Sequence, residues 1–219
     1  MREFNALRSY PQPSARRVGS RTIHHRIIAS YRGREFFDGE RDYGYGGLKY
    51  DKRWQVVAED LRNDYALVAG SRVLQFGCEK GFLLAELQKN GIEIVGVESS
   101  SYARHHALPE MKPHILPSLP LRHDKEYTLP FDLVIAIGTV YSLNLGDAME
   151  MLRRIEAIGF NAFITLASYD TEEDLRLFKK WSLLGTTILR KDEWREVMNH
   201  AGYTGDYWFV SAETLKLRE

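Results

Sequence analysis

The sequence has almost no cysteine. Cys78 is the only one in 219 residues, which excludes an internal disulfide and fits a reducing compartment. Net charge is also missing: 30 lysines and arginines offset 30 aspartates and glutamates. The molecule as a whole therefore exerts no pull on nucleic acid or on an anionic membrane. Long apolar runs are absent too. The longest, around LVIAI at 133–137, falls far short of the ~20 residues that a bilayer-crossing helix needs. The opening stretch, MREFNALRSYPQPSARR, carries no apolar segment of the secretory kind. A cytoplasmic location is expected. No internal repeat, low-complexity tract or interior linker divides the chain, whose length suits one decorated α/β domain.

What charge there is lies unevenly. Residues 1–34 hold eight arginines (2, 8, 16, 17, 21, 26, 32 and 34) and one acid, Glu3. Within this arm Ile23, Ile27 and Tyr31 fall at helical spacing, so 21–31 reads as a short amphipathic helix. The arginines read either as a solvated surface or as a lure for an anionic substrate. Residues 38–53, DGERDYGYGGLKYDKR, form a loop rich in glycine and tyrosine. A helix with Trp54, Val57, Ala58, Leu61 and Tyr65 along one stripe follows.

From there the chain alternates. Strands are predicted at 72–76, 92–97, 114–116, 131–137, 161–168, 186–190 and 206–210, with helices at 82–90, 100–108, 147–158, 170–181 and 191–202. Short apolar strands alternating with helices imply an α/β, doubly wound, mostly parallel sheet of seven strands, covered by helices on both faces. The domain reading is an arm and lid over 1–53 and a cofactor-binding domain over 54–219.

The chemistry centres on VLQFGCEKG at 73–81, a strand that ends in a glycine-bounded turn and opens a helix. In such sheets ligands bind at the C-terminal ends of the strands. Gly77 and Gly81 bracket one end; Glu98 closes the next strand about twenty residues on, where an acid can accept from ribose hydroxyls. A dinucleotide needs its pyrophosphate close to the turn, yet the spacing is G-x-x-x-G and Glu79 lies inside it. S-adenosyl-L-methionine (SAM) has no phosphate and carries a sulfonium and an ammonium group. Glu79 is compatible with those cations, so charge selects SAM. Tyr45 and Lys49 match the Tyr-x-x-x-Lys pattern of short-chain dehydrogenases, but they precede the first nucleotide strand, where that chemistry cannot be assembled.

On these residues the sequence resembles the class I SAM-dependent methyltransferases. VLQFGCEKG is similar to their first motif, VGVESS to the acidic end of the second strand, and FDLVIAIGTVYSL to the fourth-strand motif. DYGYGG…YD-RW, FITL-S and AGYTGDYWF resemble a narrower subgroup of small-molecule enzymes linked to sugar or surface-polysaccharide pathways. The resemblance spans roughly residues 50–210 and implies a Rossmann-like methyltransferase fold. It implies cofactor contacts from Gln75, Gly77, Cys78, Glu79, Gly81, Glu98, Ser99, Gly138, Tyr50 and Arg53. Gln75 stands where the family commonly has an acid and Glu79 where it has glycine; one account is that Glu79 supplies the charge that Gln75 lacks.

Methyl transfer from a sulfonium is an in-line displacement, so alignment and proton removal are the protein's tasks. Tyr141 is placed to line the acceptor site, as a catalytic group or as an aromatic wall. His25 is a candidate base if the arm covers the site, and Tyr45, Arg21 and Arg26 are candidate substrate contacts. Arg53 pairs with the cofactor carboxylate or is a surface cation. The adjacent pairs His24–His25 and His105–His106, and the isolated His114 and His123, lack metal-ligand spacing, so no metal is expected. The expected function is O-methylation of a small polar acceptor, such as a sugar or sugar nucleotide, possible phosphorylation of that acceptor included. A homodimer is an open expectation. The alternatives are a non-catalytic binding relative or, with less support, an RNA methyltransferase.

Overall fold

The computed structural model describes residues 1–119 and 130–219; His123 lies outside the described residues. In chain order the elements are β1 (Arg2–Glu3), β2 (Arg16–Arg17), α1 (Ile23–Ser30), α2 (Arg34–Asp38), α3 (Gln55–Asp64), β3 (Arg72–Phe76) and α4 (Phe82–Gln88). Next come β4 (Glu93–Val97), α5 (Ser101–His105), β5 (Ile115–Leu116), β6 (Leu133–Ala136), α6 (Leu145–Ile158) and β7 (Ala162–Tyr169). The chain closes with α7 (Glu172–Trp181), β8 (Leu189–Arg190), α8 (Lys191–Ala201), β9 (Asp206–Val210) and β10 (Leu217–Arg218).

The main sheet runs β1-β9-β7-β6-β3-β4-β5, with β8 on β7. Every ladder between these strands is parallel. Successive strand residues point to opposite faces, and the core obeys this: Val73 joins one apolar layer and Leu74 the other. The first layer takes Val57, Ala58 and Leu61 from α3 and Leu83, Leu84 and Leu87 from α4. The second takes Ala148, Leu152 and Ile155 from α6 with Trp194 and Met198 from α8. The strand β6, LVIA, is buried throughout, as a central strand covered on both faces must be. The order reverses direction at β3, so the gap beside the C-terminal end of β3 is the place for a ligand.

Several expectations are corrected. Among the described residues the sheet has eight strands instead of seven, because the two-residue β1 in the arm is too short to leave a periodic signal. The predicted strand at 186–190 shrinks to Leu189–Arg190. The N–H groups of Thr186 and Thr187 instead donate to the Tyr141 carbonyl at 2.9 and 3.0 Å, which clamps this segment onto the turn after β6. The arm helix forms, but its apolar stripe does not face the core: Ile23, Ile27 and Tyr31 are 71%, 45% and 73% exposed. The arm is fastened at two points, since β1 extends the β9 edge and β2 pairs with β10. Ala6 between them is fully buried in the core.

Gly96, at the centre of β4, sets how closely the β3–α4 turn lies on the sheet. A Cβ there would meet the Cys78 sulfur at 2.6 Å and Leu84 Cδ1 at 2.9 Å. Gly96→Ala should therefore destabilise the fold by ~1–3 kcal/mol, the usual cost of overpacking. Denaturant unfolding checks it, with Cys78→Ala in the same background recovering part of the loss. Unchanged stability would mean that the turn lifts freely.

Candidate functional site

The turn after β3 is built from left-handed backbone: φ is 64° at Gly77, 55° at Glu79 and 77° at Gly81. Gly77 also packs too closely for any side chain, since a Cβ there would lie 2.3 Å from Thr139 Oγ1. Glu79 is the exception. A non-glycine residue held left-handed costs roughly 1–2 kcal/mol, and such strain concentrates at functional sites. The N–H groups of Gly77 and Cys78 donate to the Val97 carbonyl at 2.8 and 3.3 Å, which joins the turn to the end of β4.

Glu98 follows β4 and its side chain is 1% exposed. A charge buried to that degree needs partners. The Glu79 N–H donates to it at 3.0 Å and the Ser100 N–H at 2.8 Å. Arg32, from the arm, reaches both carboxylate oxygens at 3.3 Å. The Ser100 hydroxyl donates to the Arg32 carbonyl at 2.5 Å, and the Arg32 guanidinium lies over Phe36 and Phe37 at 5.5 and 5.8 Å. Sequence reasoning counted Arg32 among the arm's arginines without singling it out; only its charge signalled it.

Above this floor opens a cleft of about 1280 Å³. That exceeds the ~300–1,000 Å³ of an ordinary small-molecule pocket, so there is room for two molecules. Gly77, Glu79, Glu98, Ser99 and Gly138 line its sheet side, and Tyr45, Tyr141, Arg21, Arg26 and Arg53 also reach it. Tyr45 donates a hydrogen bond to the Glu79 carboxylate. Burial, opposed by Tyr45 and by the Arg32 charge, pushes the Glu79 carboxyl up to about 7; Glu98 reinforces the rise and Lys80 opposes it. Burial, then the Glu79 charge, pushes Tyr141 up to about 12. Tyr45 is raised well above its ordinary value, first by burial and then by Glu79. Both hydroxyls thus stay protonated at neutral pH, as donors and walls.

Other sequence candidates lie elsewhere. His25 does not line the cleft: its Nδ1 sits 3.0 Å from the Thr22 N–H and 2.9 Å from its hydroxyl, so it closes the N-terminus of α1. This placement gives the base reading of His25 no support. Tyr50 turns to α4, where its hydroxyl meets Glu86 and Lys89. The Cys78 thiol is raised by burial and then by Glu98, and it faces Gly96 beneath the turn. Gly81 begins α4 against Met111 and Ile115. Gln75 is buried with Oε1 unpartnered among the described residues. Arg53 reaches the cleft with its charge already matched by Asp51, whose oxygens lie 2.8 and 2.7 Å from its Nε. Thr139 and the 181–186 segment also line the cleft. Thr139 had a sequence signal, its place just past β6; the 181–186 segment had none.

The charge of the cleft is divided. Glu79 and Glu98 stand on the sheet side, and the arm faces them with arginines. A phosphate near the turn would meet two acids. The two carboxylates suit a ligand that carries positive charge rather than phosphate on this side. The sequence matches the family described as methyltransferase domain over residues 50–207. No curated protein matches by sequence. Among solved structures, the magnesium protoporphyrin IX methyltransferase of Synechocystis PCC 6803, with bound SAM, superposes at a TM-score of 0.54 and 15% identity, covering 85% of this chain and 89% of that one. The YcgJ protein of Bacillus subtilis superposes at 0.51 and 15% identity, covering 66% of each chain. At these identities the likeness is one of fold. The family match spans most of the chain and includes the turn, Glu98 and the wall after β6, and on that match the protein belongs to the methyltransferase-domain family.

Proposed function

We propose that this methyltransferase uses SAM to methylate an oxygen of a small polar, sugar-like acceptor. The observation that carries the reading is the divided cleft, with an acidic cofactor half on the sheet and a basic, aromatic half on the arm. Bound SAM supplies an electrophilic methyl group. Glu98 accepts from ribose hydroxyls, a role that requires Arg32 to yield or share the carboxylate. Glu79 holds the sulfonium end, which accounts for a strained glutamate where glycine would cost nothing. Tyr141 and Tyr45 orient the acceptor as hydrogen-bond donors. Residues 1–53 act as the lid over this half. A calorimetric titration tests the reading against a non-catalytic binding protein: folded protein that gives no heat with SAM or S-adenosylhomocysteine would overturn it.

Two variants probe the cofactor half. Glu98→Ala should weaken SAM binding by about 1.5–3 kcal/mol, the range for charge-assisted hydrogen bonds. Glu98→Gln, which keeps the shape, should lose most of the same energy. Unchanged affinity in both would remove Glu98 from the site.

The second test uses pH. The Glu79 carboxyl of the free protein titrates at about 7, raised mainly by burial, so below that pH it is neutral and offers a sulfonium no charge. Binding a cation favours the ionised form and lowers this pKa. SAM affinity should therefore rise as pH climbs toward about 7 and level off above it. S-adenosylhomocysteine, whose sulfur is uncharged, should show a shallower rise, and Glu79→Gln should erase the difference. Parallel pH profiles for the two ligands in the wild type would refute the electrostatic role.

A further inference from the structure

Six arginines line the cleft, and they differ in what neutralises them. Arg32 pairs with Glu98 and Arg53 with Asp51. Arg16, Arg21, Arg26 and Arg41 have no ion pair among the described residues. Their hydrogen bonds go to neutral acceptors. Arg16 donates to the Leu215 carbonyl at 3.0 Å and to Gln12 at 2.6 Å. Arg21 donates to the carbonyls of Trp181 and Arg41. Arg26 donates to the Lys179 carbonyl, and Arg41 to those of Gly44 and Tyr45 at 3.1 and 2.9 Å. These bonds fix each guanidinium and leave some of its five donors unused.

The cluster is costly in the free protein. Arg21 is held below its ordinary pKa first by burial, then by the charges of Arg41 and Arg26, with Asp42 alone opposing; Arg16 is lowered by burial and by Arg41. One competing explanation is helix capping, since Lys179 and Trp181 belong to the last turn of α7. A helix C-terminus carries only about half a negative charge, which cannot neutralise two guanidinium groups, and it leaves Arg16 and Arg41 unexplained. Beside the cluster, Ile23 and Ile27 line the mouth with large exposed apolar surface.

We infer that Arg16, Arg21, Arg26 and Arg41 form a seat for a diphosphate ester, so that the methyl acceptor is a sugar carried on a diphosphate whose other substituent lies along Ile23 and Ile27. Guanidinium groups suit phosphate oxygens by charge and by their forked donors, and several fixed cations favour two linked phosphates over one. This rests on the cleft being the site of methyl transfer. The diphosphate source is either a nucleotide or an apolar alcohol; both share the group that the arginines recognise.

Calorimetry on the full chain tests the seat with inorganic pyrophosphate, orthophosphate, uridine diphosphate and geranyl diphosphate, with SAM titrated alongside. Pyrophosphate should bind at least about tenfold tighter than orthophosphate. Arg26→Gln and Arg41→Gln should each weaken it about tenfold or more, as for one charged hydrogen bond, and should reduce its salt dependence. Arg17→Gln and Arg34→Gln, in the same arm but off the cleft, should not. Thermal melts identify any variant that loses α7 capping, and Arg26→Lys, which keeps the charge, should recover part of the binding. A preference for uridine diphosphate or for geranyl diphosphate over pyrophosphate identifies the source. Equal binding of pyrophosphate and orthophosphate, or equal losses from the off-cleft variants, would overturn the seat. If SAM still binds in that case, the methyltransferase reading stands; if SAM also fails, both fall.

Discussion

One buried carboxylate, Glu98, organises the site. It is nearly inaccessible and joins the β3–α4 turn, the end of β4 and the basic arm through two N–H groups and one guanidinium. Burying a charge is tolerable only with such partners, and losing one of them leaves the others uncompensated. The turn therefore cannot be considered apart from the arm. Glu98 also holds Arg32, so under the proposed function a ribose would share this acceptor with the arm, which would couple cofactor binding to arm position.

That coupling is reinforced nearby. Lys80, 6% exposed, donates to both oxygens of Asp38 at 2.7 and 2.8 Å and to the Leu48 carbonyl at 2.9 Å. Tyr102 donates to the same Asp38 at 2.8 Å. Lys80 lies in the turn, Asp38 ends α2 and Tyr102 lies on α5, so a second, partly buried ion pair binds the loop before α3 to the strand ends. The loop's glycines serve this docking. Gly44 has its α-carbon so close to Phe36 that a Cβ would lie 2.0 Å from the Phe36 carbonyl, which brings Tyr45 within reach of Glu79. Movement of this segment as a lid would have to break or carry along these bonds.

How much was readable from sequence follows the range of the interactions involved. The strand, turn and helix at 72–88 and the strand before Glu98 were readable because apolar periodicity and glycine chemistry act over a few residues. Their meeting at one cleft was readable because parallel βα units place strand ends together. The arm was not. Arg32 meets Glu98 across 66 positions, and no local pattern marks that contact. The contact of His25 with Thr22 is a capping box with histidine in place of the usual glutamate or glutamine, so the residue type alone does not mark it as a cap. The apolar stripe of α1 was read for its period alone, and period does not say whether a stripe faces a core or a cleft.

The two halves of the cleft also explain why a chain with zero net charge can carry so basic an arm. Arginine clusters usually draw polyanions without discrimination, but here the acids Glu79 and Glu98 stand opposite, on the floor of the same cavity. An anion that enters is attracted to the arm and repelled from the turn, whereas a cation experiences the reverse. Under the proposed function, this division of charge would favour the cofactor's cationic end on the turn side and an anionic acceptor on the arm side. A change that neutralised either side would disturb the placement of both ligands.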